Sequence, residues 1–147
     1  MHQKIIKILL IITIIFPLNV KASSIVMDID SGRILYQNNV HEKKLIASIT
    51  KIMTAIIAIE NNDLNKNVTI GKEILTMYGT NIYIEVGEKM TLRNLLYGLI
   101  LRSGNDSAIA LATATSKNEE NFVQLMNEKA VKLGLKDSIF KNTKRWL

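Results

Sequence analysis

The chain contains no cysteine, which excludes thiol catalysis, disulfides and cysteine-based metal sites. It has two histidines, His2 and His41, so a His-rich zinc site has too few ligands. A Ser-His-Asp triad would have to use His41, which lies in the polar run Asn38-Asn39-Val40-His41-Glu42-Lys43-Lys44 and reads as a solvated loop residue. Proline occurs once, at position 17, and aromatic residues make up 5%. No basic stripe interleaved with aromatics is present, which argues against nucleic acid as a partner. Nothing in the composition calls for a metal or other cofactor.

Apolar runs are also short. The longest candidate, Ile8 to Phe16, spans nine residues, well under the ~20 that a membrane-spanning helix needs. It follows the basic pair Lys4 and Lys7 and precedes Pro17, with Val20-Lys21-Ala22 as a cleavage site. Residues 1–22 therefore read as a secretory signal peptide, and the product is expected to be exported to the cell envelope or beyond. Loss of Lys4, Lys7 and Lys21 leaves 16 basic and 13 acidic residues, a net +3. That balance is compatible with an anionic envelope and too mild to specify a partner.

With thiol and histidine chemistry set aside, the stretch Leu45-Ile46-Ala47-Ser48-Ile49-Thr50-Lys51-Ile52-Met53-Thr54-Ala55 becomes the centre of interest. Positions i and i+3 share a helix face, so the Lys51 amine can sit beside the Ser48 hydroxyl. A serine needs such a base to become a nucleophile, and burial of the lysine would favour its neutral, proton-accepting form. S-x-x-K is a signature of penicillin-binding proteins and class A β-lactamases. The spacing alone is weak, because Ser138-Ile139-Phe140-Lys141 matches it too, and a plain N-cap is the simpler reading of Ser48.

Periodicity places the remaining elements. Ser24 to Ile29 alternates, Asp30-Ser31-Gly32 signals a turn and Arg33 to Gln37 forms a second strand, giving an antiparallel hairpin. A helix is expected over 48–60 with Ile49, Ile52, Met53, Ile56 and Ile59 on a buried face, and with Ala55, Ile57 and Ala58 filling much of the rest, so that it is buried nearly all round. Thr80 to Val86 reads as strand or extended. Thr91 caps a helix running to about Leu101, and Ser107 to Ala114 forms a small-residue helix. Ser116-Lys117-Asn118-Glu119 reads as a capping box opening a last helix with Gly134 as its C-cap. The inward residues of that helix are Phe122, Val123, Leu125, Met126 and Ala130. Between two of these helices lies Ser103-Gly104-Asn105, whose plain reading is a turn.

Together these features resemble the low-molecular-weight penicillin-binding proteins, specifically the serine D-Ala-D-Ala carboxypeptidases. The resemblance runs along most of residues 24–142. It includes Met27-Asp28-Ile29-Asp30-Ser31-Gly32-Arg33-Ile34-Leu35-Tyr36, the Ala47-Ser48-Ile49-Thr50-Lys51-Ile52-Met53-Thr54 block, Gly87-Glu88, Leu95 to Ala108 and Phe122 to Gly134. The family often has proline where this chain has Ile46. The resemblance implies that Ser48 attacks the carbonyl between two D-alanines at the end of a peptidoglycan stem peptide. Lys51 would take its proton, Ser103 would relay a proton to the departing D-Ala, and Asn105 would hold the substrate amide. β-Lactam antibiotics would acylate the same serine. A class A β-lactamase-like hydrolase is the alternative, but it would normally carry Ser-Asp-Asn where this chain has Ser-Gly-Asn.

The family's third motif, Lys-Thr-Gly on a strand, is not found, and the end Thr143-Lys144-Arg145-Trp146-Leu147 departs from the family pattern. The expectation is an α+β, serine β-lactamase/DD-peptidase-like fold in truncated form. Residues 23–147 would be an incomplete catalytic domain, with an N-terminal hairpin and helical region but without the C-terminal sheet strands. Such a chain would be an inactive copy, or a non-catalytic secreted remnant.

Overall fold

The computed structural model describes residues 22–144; all but the last residue of the proposed signal peptide lies outside them. The chain divides into two units, one ending at Lys43 and one beginning at Lys44.

The first unit is the expected hairpin. Strands β1 (Ser24–Met27) and β2 (Ile34–Asn38) pair antiparallel, with Ser24 opposite Asn38 and an irregularity between Val26 and Met27. Asp28 shapes the turn by accepting from the backbone N–H and the hydroxyl of Ser31. Side chains on both faces of the hairpin are exposed, including Ile25, Met27, Leu35 and Tyr36. His41 is exposed beyond it, as the polar run implied.

The second unit is helical. A 3-10 turn (Ala47–Ile49) runs into α1 (Thr50–Asn61). A two-stranded antiparallel sheet of β3 (Asn67–Thr69) and β4 (Lys89–Thr91) follows, then α2 (Leu92–Arg102), α3 (Asn105–Ser116) and α4 (Glu119–Lys132). Thr91 caps α2 as expected, its side chain accepting from Asn94 N–H. Residues 80–86 form neither helix nor strand. Their backbone donors go to side chains instead, as described below.

The small residues of α3 explain the packing. Ala108, Ala110 and Ala112 are buried, so neighbouring helices approach closely. On one side the core joins Ala55 and Ala58 of α1 to Leu92, Leu95 and Leu99 of α2. On the other, Met53 and Ile57 of α1 meet Ala112 of α3 and Phe122, Met126 and Ala130 of α4. A Cβ on Gly98 would fall 2.6 Å from both the Ser107 hydroxyl and the Ile82 side chain, so a larger residue there would have to displace both side chains.

Two expectations need correction. Ile49, Ile52 and Ile59 are more than half exposed and Ile56 is only partly covered. Met53, Ala55, Ile57 and Ala58 are buried as expected, together with Thr50, Lys51 and Thr54; the helix is therefore covered on one side only, where α2, α3 and α4 share its core clusters. Nor does Ser116 open α4. It ends α3, its single O–H shared between Ala112 O and Asn118 O. The cap is Asn118, which accepts from Asn121 N–H. Gly134 closes α4 as expected: it is left-handed at φ +74, and N–H groups of Gly134 and Leu135 bond Val131 O and Ala130 O.

The segment after α4 returns to α1. Phe140 is buried and exchanges hydrogen bonds with the Asn127 side chain, at 2.9 Å each way. Thr143 is fully buried, and its carbonyl accepts from the Thr54 hydroxyl. The Glu119 carboxylate accepts from the N–H and hydroxyl of Thr143 and from the Lys144 amine. Burial pushes the Glu119 pKa up, but the Thr143 hydrogen bonds and the Lys144 charge outweigh it and hold the carboxyl below its ordinary value. A depressed carboxyl pKa stabilises the fold above the unfolded-state value and loses that contribution as pH falls through the folded-state value. Glu119→Gln should therefore lower the urea midpoint at pH 7 and cost progressively less below about pH 4.3, the ordinary glutamate value. Denaturation of both proteins at pH 7 and pH 3 checks this; a pH-independent difference would contradict it.

Candidate functional site

Ser48 lies in the 3-10 turn that leads into α1. Ala47 before it takes a left-handed backbone at φ +45, which bends the chain into the turn. The plain N-cap reading of Ser48 fails, since no side-chain hydrogen bond caps either the turn or the helix. Its side chain is exposed.

Lys51 follows in the first turn of α1, and only 4% of it is exposed. Its amine donates to Ser103 O at 2.7 Å, Ser103 Oγ at 3.0 Å and Asn105 Oδ1 at 2.8 Å. Lys51, Ser103 and Asn105 thus meet although more than fifty positions separate the lysine from the other two. None of these three oxygens belongs to Ser48, which stands one helical turn before the amine. Ser138, the second serine followed by lysine at the same spacing, is exposed in the irregular segment after α4.

The Ser103-Gly104-Asn105 turn is built for this contact. Ser103 ends α2 in the left-handed region, φ +55 and ψ +36. Gly104 N–H reaches back to Gly98 O at 3.1 Å, and Asn105 begins α3. A serine at positive φ costs energy and persists where its surroundings fix it. Here two bonds to Lys51 do so. Asn105 is committed at both ends of its amide, with Oδ1 on Lys51 and Nδ2 donating to Tyr78 O at 2.7 Å.

Asp106 was not singled out from the sequence, where it falls in the turn just before the helix expected from Ser107. It is 3% exposed. Its carboxylate accepts from Ile82 N–H at 3.0 and 3.1 Å, Ile84 N–H at 3.3 Å and Ser107 N–H at 2.8 Å. Thr80 O accepts from Asn105 N–H at 2.8 Å. Adjacent residues of α3 thus hold the 78–84 segment against the site, and they supply the backbone bonding that a strand would have provided. Among the described residues no group of His, Cys, Asp and Glu could hold a metal ion, and no helix is long and apolar enough to cross a membrane.

The sequence profile of the D-alanyl-D-alanine carboxypeptidase family matches residues 15–145. The D-alanyl-D-alanine carboxypeptidase DacF of Bacillus subtilis is 40% identical over 125 residues, covering 82% of this chain and 32% of the relative. DacC of Escherichia coli is 35% identical over 127 residues, covering 79% of this chain and 32% of the relative. Among solved structures, the D-alanyl-D-alanine carboxypeptidase DacD from Francisella tularensis superposes with a TM-score of 0.81 at 31% identity, covering 90% of this chain and 33% of that one. Penicillin binding protein 6B from Escherichia coli gives 0.80 at 30% identity, with 88% and 44% covered. The chain spans about a third of the length of the two sequence relatives.

Replacing Asp106 by Ala strips acceptors from buried N–H groups, which typically costs about 1–3 kcal/mol. Urea unfolding should register that loss, and amide exchange at Ile82 and Ile84 should accelerate relative to amides within α4. Unchanged protection at both positions would show that the carboxylate does not hold this segment.

Proposed function

The chain belongs to the D-alanyl-D-alanine carboxypeptidase family, and we propose that it carries the nucleophile-and-base part of a serine-type D-Ala-D-Ala carboxypeptidase site. The observation that supports this reading most directly is the buried Lys51 amine, one turn after Ser48 and bonded to both Ser103 and Asn105. The substrate is a peptidoglycan stem peptide ending in D-Ala-D-Ala, met outside the cytoplasm after removal of residues 1–22. Penicillins, as cyclic acyl donors, react at the same serine.

Lys51 first gives up one proton and with it one of the three hydrogen bonds it donates to Ser103 and Asn105; Ser48 Oγ then attacks the carbonyl carbon of the penultimate D-Ala while the freed amine lone pair takes the hydroxyl proton. The oxygen that becomes negative is met by the Ser48 backbone N–H, one donor of an oxyanion hole. As the C–N bond breaks, the proton passes from Lys51 through the Ser103 hydroxyl to the leaving D-Ala nitrogen. The Lys51–Ser103 hydrogen bond of 3.0 Å is the first leg of that path. Water then attacks the ester on Ser48 and gives up a proton to Lys51. The shortened peptide leaves with a new carboxylate and the Ser48 hydroxyl is restored. Asn105 directs its second amide N–H to the substrate backbone.

In a chimera joining this chain to the part of Bacillus subtilis DacF beyond the matched region, labelled penicillin is expected on Ser48. Ser48→Ala should abolish labelling and Ser138→Ala should leave it intact. Lys51→Ala should slow acylation by about 10²–10⁴, the usual contribution of a positioned general base. Label located on any residue other than Ser48 by peptide mass mapping would contradict the assignment.

A further inference from the structure

Tyr83 combines two properties that seldom coincide. Its side chain is 83% exposed, yet its backbone is left-handed at φ +62. For a bulky aromatic residue that conformation is a genuine outlier, and such strain persists only where the surroundings over-determine it. Burial of the ring does not offset the strain, since the ring stands in water. The fixation comes from Asp106, which takes the N–H groups of Ile82 and Ile84 on either side. Ile84 is buried. The backbone is therefore pinned on both sides and the Tyr83 ring is turned outward.

The position of that ring follows from the neighbouring bonds. Three residues earlier, Thr80 O is fixed to Asn105 N–H. Three residues of chain span at most about 11 Å, so Tyr83 lies at the flank of the Lys51–Ser103–Asn105 cluster. A tyrosine presents a large apolar face with a polar tip, and it loses little conformational freedom on contact. We infer that Tyr83 is a specificity-determining contact that packs against the aliphatic part of the stem peptide preceding the D-Ala-D-Ala pair. This rests on the carboxypeptidase reading of the site, and it assigns the strained backbone a purpose: to hold an aromatic platform beside the acyl side of the substrate.

The test is an NMR titration of the DacF chimera described above, carrying Ser48→Ala so that the ligand is not cleaved and taken as the parent, following the amides of Ile82, Ile84 and Asn105. One ligand is a stem pentapeptide ending in D-Ala-D-Ala; the other is the bare dipeptide N-acetyl-D-Ala-D-Ala. Tyr83→Gly removes the ring and suits the positive φ, so its unfolding midpoint should equal or exceed the parent's. Its pentapeptide affinity should nevertheless fall about fivefold to tenfold, the range an aromatic packing contact provides. Dipeptide affinity should not change, and Tyr83→Phe should bind the pentapeptide as the parent does. Undiminished pentapeptide binding by Tyr83→Gly, or equal loss for both ligands, would overturn the role of Tyr83 alone. Absence of binding of either ligand by the parent would overturn the reading of the site, and the role of Tyr83 with it.

Discussion

The Lys51 amine is the constraint around which the second unit is organised. A lysine head group removed from water is costly unless oxygen acceptors replace its hydration. Three such acceptors come from one place, the turn between α2 and α3. Satisfying the amine therefore fixes α1 against that turn. It draws Ser103 into a left-handed conformation and sets the start of α3. The geometry of the candidate site and the packing of α1 against the turn thus rest on the same three hydrogen bonds.

A second layer of polar bonding extends outward from it. Asn105 and Asp106 are adjacent, yet they serve different parts of the chain. Asn105 ties Lys51 to Tyr78 and Thr80. Asp106 satisfies the N–H groups of Ile82 and Ile84. Residues 78–84 have no strand partner, so these side chains substitute for a sheet ladder. The small residues of α3 and Gly98 of α2 complete the arrangement, because they let the helices approach closely enough for the bonds to form.

The site was legible where chemistry imposes spacing. Ser48 and Lys51 are one turn apart, and Ser103-Gly104-Asn105 punctuates two apolar helices. The helices, the hairpin, the Thr91 cap and the Gly134 cap are local features that periodicity and turn chemistry expose. What escaped depends on partners distant in sequence. The burial of α1 was overextended because apolar residues run all round it, whereas its partners cover only the side of Met53, Ala55, Ile57 and Ala58 and leave Ile49, Ile52 and Ile59 exposed. Asp106 fell in the turn before the expected helix and carried no signal of its own; its partners lie 22 and 24 positions earlier. The strained backbone of Tyr83 has no local signature, since it is imposed by those same bonds.

The coupling between Lys51 and Asn105 is the most direct measure of this organising contact. A double-mutant cycle with Lys51→Met and Asn105→Ala, read by urea unfolding, isolates it. Hydrogen bonds involving a charged group contribute about 1.5–3 kcal/mol. A coupling energy in that range is the expected result. Additivity of the two substitutions within about 0.5 kcal/mol, the behaviour of independent sites, would contradict the claim that this amine holds the helices and the site together.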